Sequence, residues 1–212
     1  MKKLRHIFFF LCPVLICILL LVSYAAKPDW DDFKNAYIEL QTRDPLHYSS
    51  TVTITVDSES LITYSEYISA SGESVYITSN SNPGSELTVL TIEGQQLYTM
   101  ENMDGWLPSD STFNASQPWM STPFDFFLNK SYSTERKAGQ ILFFIEYETG
   151  SSSEYWIKNG KITQIKYATK LHTTQNDGSP VTVDTMITCF FHNTPADQCI
   201  SWIREFKSDA GL

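Results

Sequence analysis

The sequence predicts an α+β domain: a large antiparallel sheet with helices at its start, middle and end. Three observations predict it. Apolar residues recur at helical spacing near both ends of residues 27–212. Between those ends the period changes from 3.6 to 2, as it does where a chain enters a half-buried sheet. The strand candidates are joined by short turns such as Asn159-Gly160, too short for the crossovers that parallel strands need.

The first helix opens at Pro28 and Asp29. Asp31 and Asp32 suit the positive end of its dipole. Trp30, Phe33, Tyr37 and Leu40 form one apolar stripe. Arg43-Asp44-Pro45 ends it, because proline disfavours helix at the residue before it. Thr51–Val56 then alternates strictly, with three aliphatic residues on one face. Further strands are expected at Leu61–Ser69, Ser74–Ser79, Leu87–Glu93 and Gln95–Met100, with a turn through Pro83-Gly84 and a tight link at Glu93-Gly94.

From Pro108 to Lys137 the pattern is irregular. It holds one short helix, with Thr122 as cap, Pro123 first and then Phe124–Asn129. Gln140–Glu148 reads as a strand. The clearest hairpin joins Tyr155–Lys158 to Lys161–Gln164 through Asn159-Gly160, a pair suited to a type I′ turn. In that register Ile157 faces Ile162 and Trp156 faces Thr163. Another hairpin turns through Asn176-Asp177-Gly178. On the last strand Val181, Val183, Ile187, Cys189 and Phe191 share a face. A final helix, capped by Thr194, carries Cys199, Trp202, Ile203 and Phe206 on one stripe. Helices grouped on one face of the sheet complete the α+β reading.

Met1–Ala26 is set apart from this domain. Lys2, Lys3 and Arg5 precede an uncharged run from Ile7 to Val22, and the stretch has no acidic residue. That is the pattern of an export signal or of an uncleaved membrane anchor. As a helix the run spans about 24 Å, against a bilayer core of about 30 Å. Ser23-Tyr24-Ala25 offers small residues for cleavage, and extension to Ala26 offers the missing length, so both readings stand. Cys12 and Cys17 follow bulky residues and do not make a bacterial lipidation site. The expected organisation is therefore a signal or anchor at 1–26 and one extracytoplasmic domain at 27–212, on the outer face of the membrane or released from it.

Setting aside Lys2, Lys3 and Arg5 leaves 12 basic residues against 24 acidic ones, a net charge of −12. Such a surface repels nucleic acid and anionic headgroups. Two cysteines, Cys189 and Cys199, lie in this part. An oxidising compartment allows them to pair, which would close a short loop and stabilise by about 2.7 kcal/mol. As reduced thiols they would serve as small core residues.

No catalytic constellation emerges. His47, His172 and His192 belong to no metal-binding spacing, and His47 is placed in the turn after the first helix. There is no nucleophile elbow and no glycine-rich phosphate loop. Asp125 sits among phenylalanines as a lone acid, and Glu146 and Glu148 read as a solvated edge. No metal, no cofactor and no enzymatic role is expected. Asn114 and Asn129 match the glycosylation pattern.

Aromatic residues make up 14% of the chain, and their placement is uneven. Trp106, Phe113, Trp119, Phe124, Phe126, Phe127, Phe143 and Phe144 cluster in the middle third. They can fill an ordinary core. They can also line an apolar cavity between sheet and helices, with Trp106, Trp119, Phe124, Phe127, Phe143, Phe144 and Trp156 as the candidate walls.

The helix Trp30–Leu40, the strand pair that ends in Gly105-Trp106, the Tyr155–Ile162 strand–turn–strand and the Phe190–Pro195 lead into the last helix occur in an order that resembles the LolA-like group. These are lipoprotein and lipid carriers, with relatives, of bacterial envelopes. The resemblance covers most of residues 29–207 as a pattern of elements. It implies an unclosed antiparallel half-barrel covered by helices, with an apolar interior that binds acyl chains in some members and proteins in others. The expected function is a non-enzymatic binding domain for a hydrophobic ligand or an apolar partner segment. A structural or regulatory ectodomain working through protein contacts is the alternative, and a hydrolase with an unmarked site is a third reading.

Overall fold

The computed structural model describes residues 29–81, 86–109, 122, 124–127, 130–148, 150–174 and 179–212. The chain falls into two compact units, Met1–Trp30 and Asp31–Leu212. Helix α1 (Trp30–Gln41) is followed by β1 (Leu46–Val56), β2 (Glu59–Ala70), β3 (Glu73–Asn80), β4 (Leu87–Ile92), β5 (Gln95–Met100) and the two-residue β6 (Leu107–Pro108). A 3-10 turn (Phe124–Phe127) leads to β7 (Ser131–Lys137), β8 (Gln140–Glu146), β9 (Ser152–Lys158), β10 (Lys161–Thr174), β11 (Pro180–Phe191) and helix α2 (Ala196–Asp209). All strands join one antiparallel sheet in the order β6-β5-β4-β3-β2-β1-β11-β10-β9-β8-β7. The sheet is curved and does not close. β1 and β11, the strands next to the two helices in the chain, lie side by side at its middle.

Neighbouring strands are joined by two-residue turns wherever the chemistry allows positive φ. Asp57-Ser58, Ser71-Gly72, Glu93-Gly94, Ala138-Gly139 and Asn159-Gly160 all place both central residues there. That is the type I′ signature, whose twist matches the twist of the flanking strands. At Gly160 φ is +72°, so a β-carbon is strained whatever the free space. Gly160→Ala is expected to lower stability by about 1 kcal/mol, read as an earlier midpoint in urea unfolding at unchanged slope. An unchanged midpoint would contradict the strain argument.

The register after this turn differs from the expected one by a single residue. Ile157 pairs with Ile162, but Trp156 pairs with Gln164, and the ladder shifts between Ile162 and Gln164. Thr163 is the extra residue of a β-bulge. Its hydroxyl donates to the Trp156 carbonyl at 3.1 Å. The bulge has a purpose visible in burial. Ile162 and Ile165 are an odd number of residues apart, yet both are buried. Only an inserted residue turns both toward the same face.

Strand parity then assigns each helix to a face. Tyr155, Ile165, Cys189 and Ser50 are successive register partners and share one face. α1 packs there: Phe33 meets Phe143 at 5.4 Å and Tyr155 at 4.9 Å between ring centroids. Phe33, Ala36, Tyr37 and Leu40 are its buried residues, each large one contributing about 1.5–3 kcal/mol by burial. Ile68, Val75 and Leu90 belong to the opposite face, where Cys199 and Ile203 of α2 close over them. The helices are therefore on opposite faces, not grouped on one. A sheet apolar on both sides at different places needs one cover for each.

The same parity separates the cysteines. Cys189 points to the α1 face and Cys199 sits on the helix of the other face, so the expected contact between them is absent and both are free and buried. Burial pushes the Cys189 thiol up to about 12.

Four further expectations are corrected. The middle helix is a 3-10 turn over Phe124–Phe127. Ser131–Lys137 is an edge strand rather than irregular chain; its polar, charged sequence hides the period. Thr194 does not cap α2, because Pro195 stands at the cap position and the Thr194 hydroxyl pairs with His47 Nδ1 at 2.7 Å. His47 itself lies in β1, which begins at Leu46, and is buried rather than in a turn.

Candidate functional site

Under one flank of α1 the α1 face of the sheet is left partly uncovered. A cavity of about 440 Å³ lies there and opens to solvent, within the range of about 300–1,000 Å³ typical of small-molecule sites. α1 contributes Tyr37, and the 3-10 turn contributes Phe126 and Phe127. The sheet contributes Ser153 and Tyr155 from β9, Ile165 and Tyr167 from β10, and Ile187 from β11. Thr122, Lys130, Tyr147, Glu148 and Ser151 complete the wall from the connecting segments.

The aromatic walls brace one another. Tyr37 meets Phe127 at 5.1 Å and 76°, and Phe127 meets Tyr155 at 5.9 Å and 83°. These are edge-to-face contacts, the favoured geometry for ring quadrupoles. The turn is tied to α1 by hydrogen bonds as well. The Tyr37 hydroxyl donates to the Thr122 carbonyl at 2.9 Å, and Gln41 Nε2 donates to the same oxygen at 2.8 Å. At the mouth the Lys130 ammonium stands 5.3 Å over the half-exposed Phe126 ring, and Glu148 is exposed beside it.

A polar strip runs through this apolar lining. Tyr147 Oη and Ser153 Oγ are 2.7 Å apart, and Tyr155 follows Ser153 on the same face of β9. The Ser151 hydroxyl donates to Thr169 at 2.9 Å. Burial raises the pKa values of Tyr37, Tyr147 and Tyr155 above the ordinary phenol value. All three remain neutral hydroxyls at physiological pH.

The aromatic residues expected to line one cavity do not converge. Phe127 is in the wall. Phe143 is fully buried, tilted against Phe33 and stacked on Tyr132. Phe144 and Trp156 are next to Phe143 and Tyr155 in the chain, so they point to the opposite face. There Trp156 Nε1 lies 3.4 Å from Glu154. Trp106 is at the far side of the sheet, packed on the α2 cluster with its indole N–H donating to Asp209 at 2.9 Å. Phe124 belongs to the 3-10 turn; its side chain lies outside the described residues, as do Trp119, Asn114, Asn129, the side chain of Asp125 and the turns at 82–85 and 175–178. The tyrosines of the cavity were missed. Their signal was the alternation of Ser151, Ser153 and Tyr155 and of Ile165 and Tyr167.

A second polar cluster secures the start of α2. His47 Nε2 lies 2.8 Å from Glu66, and its ring is 4.4 Å from that of His192. His192 Nε2 lies 3.0 Å from Ser49 Oγ. Burial, and then the neighbouring His47, lower the His192 pKa below the ordinary histidine value. The unfolded chain therefore holds more protons as pH falls through the ordinary histidine range, and stability falls with it. Urea midpoints measured from about pH 7.5 to about pH 5.5 are expected to decline, and His192→Gln to flatten part of that decline. An identical slope in the variant would remove His192 from the account.

A larger groove of about 720 Å³ lies between the end of α1, the β9–β10 turn and the end of β11. Its charged groups are partly committed to each other: Arg43 pairs with Glu39 at 2.6 Å and Lys161 approaches it at 3.7 Å. Among the described residues no group of three or more His, Cys, Asp or Glu is placed to hold a metal ion. No described helix is long and apolar enough to cross a membrane.

No protein-family model and no curated protein matches the chain. Among solved structures it is similar to a DUF1329 family protein from Desulfovibrio piger at 12% identity, covering 79% of this chain and 92% of that one, with a TM-score of 0.28. It is also similar to an S-type phycobiliprotein lyase from Guillardia theta at 8% identity, covering 79% and 100%, with a TM-score of 0.30.

Proposed function

We propose that this is a binding domain without catalytic activity, which works outside the cytoplasm and holds an apolar ligand in the cavity beside α1. The observation that carries the reading is the cavity itself: about 440 Å³, open on one side, with ring walls and a strip of neutral hydroxyls. A filled core would leave no such volume, because interiors are packed with few voids larger than a water molecule. The lining has the composition of a ligand site, mostly apolar with a few placed polar groups. The place of action rests on the charge and hydropathy pattern of Met1–Ala26, and sequencing the mature N-terminus tests it. Binding is tested by the fluorescence of an environment-sensitive apolar probe. Saturable binding to one site supports the reading. Purely linear, non-saturable uptake would overturn it.

A second reading has its own observation. Met186 and Phe190 are about half exposed on the strand face turned away from the cavity, where an envelope protein could dock. A photo-crosslinker at position 190 that gives one discrete protein adduct in intact cells would favour that reading; a smear or no adduct would remove it.

A further inference from the structure

The chemistry of the walls narrows the ligand class, given that the cavity is a binding site as proposed above. Of the thirteen described lining residues six are aromatic, Tyr37, Phe126, Phe127, Tyr147, Tyr155 and Tyr167, and two, Ile165 and Ile187, are aliphatic. A saturated chain gains from such walls only what it gains from any apolar surface. A flat ring gains in addition from edge-to-face and offset contacts. Tyr37, Phe127 and Tyr155 are already set at steep mutual angles of 76°, 83° and 78°, an array that a guest ring extends. The volume agrees. A cavity of about 150 Å³ takes one benzene, and this one is close to three times as large.

The hydroxyl strip selects the polar part. Tyr147, Ser153 and Tyr155 each bring one proton and two lone pairs. Tyr147 and Ser153 are hydrogen-bonded to each other, a bond that uses one of the three protons and one of the six lone pairs, so open acceptor positions on the strip outnumber its open protons by five to two. A guest group that such a strip satisfies is a donor. We infer that the ligand of this cavity carries a flat ring system with a hydroxyl or N–H at its edge, the ring held among the Tyr and Phe walls and the donor against the Tyr147–Ser153–Tyr155 strip.

Three probes test this on the full chain as its host exports it: 2-naphthol, 2-methoxynaphthalene and 1-decanol. Binding is read by ligand-observed NMR, with Ile187→Trp, which fills the cavity, as the blank. 2-Naphthol is expected to bind about tenfold more tightly than its methyl ether, which lacks the donor, and at least as tightly as decanol, although decanol is the more hydrophobic. If decanol alone binds above the blank, the ring inference falls and the cavity reading stands. Equal affinity for naphthol and its ether overturns the donor assignment. No signal above the blank for any probe overturns the cavity reading and this inference with it.

Discussion

Replacing Phe33 by alanine is expected to cost the domain about 3–5 kcal/mol, out of a total of about 5–15 kcal/mol for a domain of this kind. Phe33 is fully buried and is the ring that joins α1 to the sheet. Its centroid lies 4.9 Å from Tyr155, 5.3 Å from Phe127, 5.4 Å from Phe143 and 5.6 Å from Tyr37. Four aromatic partners cannot all move inward when the ring is removed, because Tyr155, Phe143 and Phe127 are held by their own strand or turn and Tyr37 by α1 itself. The void stays, and with it the full cavity cost. Phe33→Leu keeps most of the volume and is expected to cost under about 1.5 kcal/mol. Urea unfolding at unchanged slope measures both. A loss below about 1 kcal/mol for Phe33→Ala would show that α1 is not anchored through this ring.

The second large effect is on binding. Ile187 lies on β11, on the α1 face, and closes one side of the cavity. Ile187→Trp puts an indole into the open volume. Overpacking of a filled core costs about 1–3 kcal/mol; here the added atoms enter space that is already free, so stability is expected to stay within about 1 kcal/mol of the parent. Affinity for an apolar probe is expected to fall about tenfold or more, because the ligand and the indole need the same space. The pairing of lost binding with kept stability is the diagnostic part. Loss of both together would point to disruption of the fold, and loss of neither would place the probe elsewhere.

How much of this was legible in the sequence follows from the range of each signal. Period and turn chemistry are local, and they found the helix at Phe33–Leu40, the strands and the Asn159-Gly160 turn. They failed where a distant partner decides. The Thr163 bulge is set by the need to turn Ile162 and Ile165 to one face. Thr194 leaves its capping role for His47, a residue far away in the chain. β7 has too few apolar residues to show a period, and becomes a strand because β8 offers it a ladder. The site was read from aromatic density, which does not know which face a ring takes. Parity divides Phe143 from Phe144 and Tyr155 from Trp156, and so the expected cavity residues Phe144 and Trp156 point away from the cavity. The residues that line it are tyrosines and serines, whose hydroxyl pairing appears only once the register is fixed.

The opposite placement of the two helices also has a consequence for function. α2 covers part of its face with Cys199, Ile203 and their partners. α1 covers only part of the other face, and the cavity is the part it leaves. Any ligand therefore meets α1 and the 3-10 turn on one side and β9–β11 on the other, with Tyr37 and Thr122 hydrogen-bonded across the junction.

The most direct test of the cavity as a ligand site is native mass spectrometry of the protein purified from the envelope of its expression host, with the parent and Ile187→Trp measured side by side. The account predicts a discrete added mass on the parent at one copy per chain, and the bare chain mass for the variant. A parent that is bare as purified and also after incubation with a lipid extract, or an added mass that the variant retains, would contradict it.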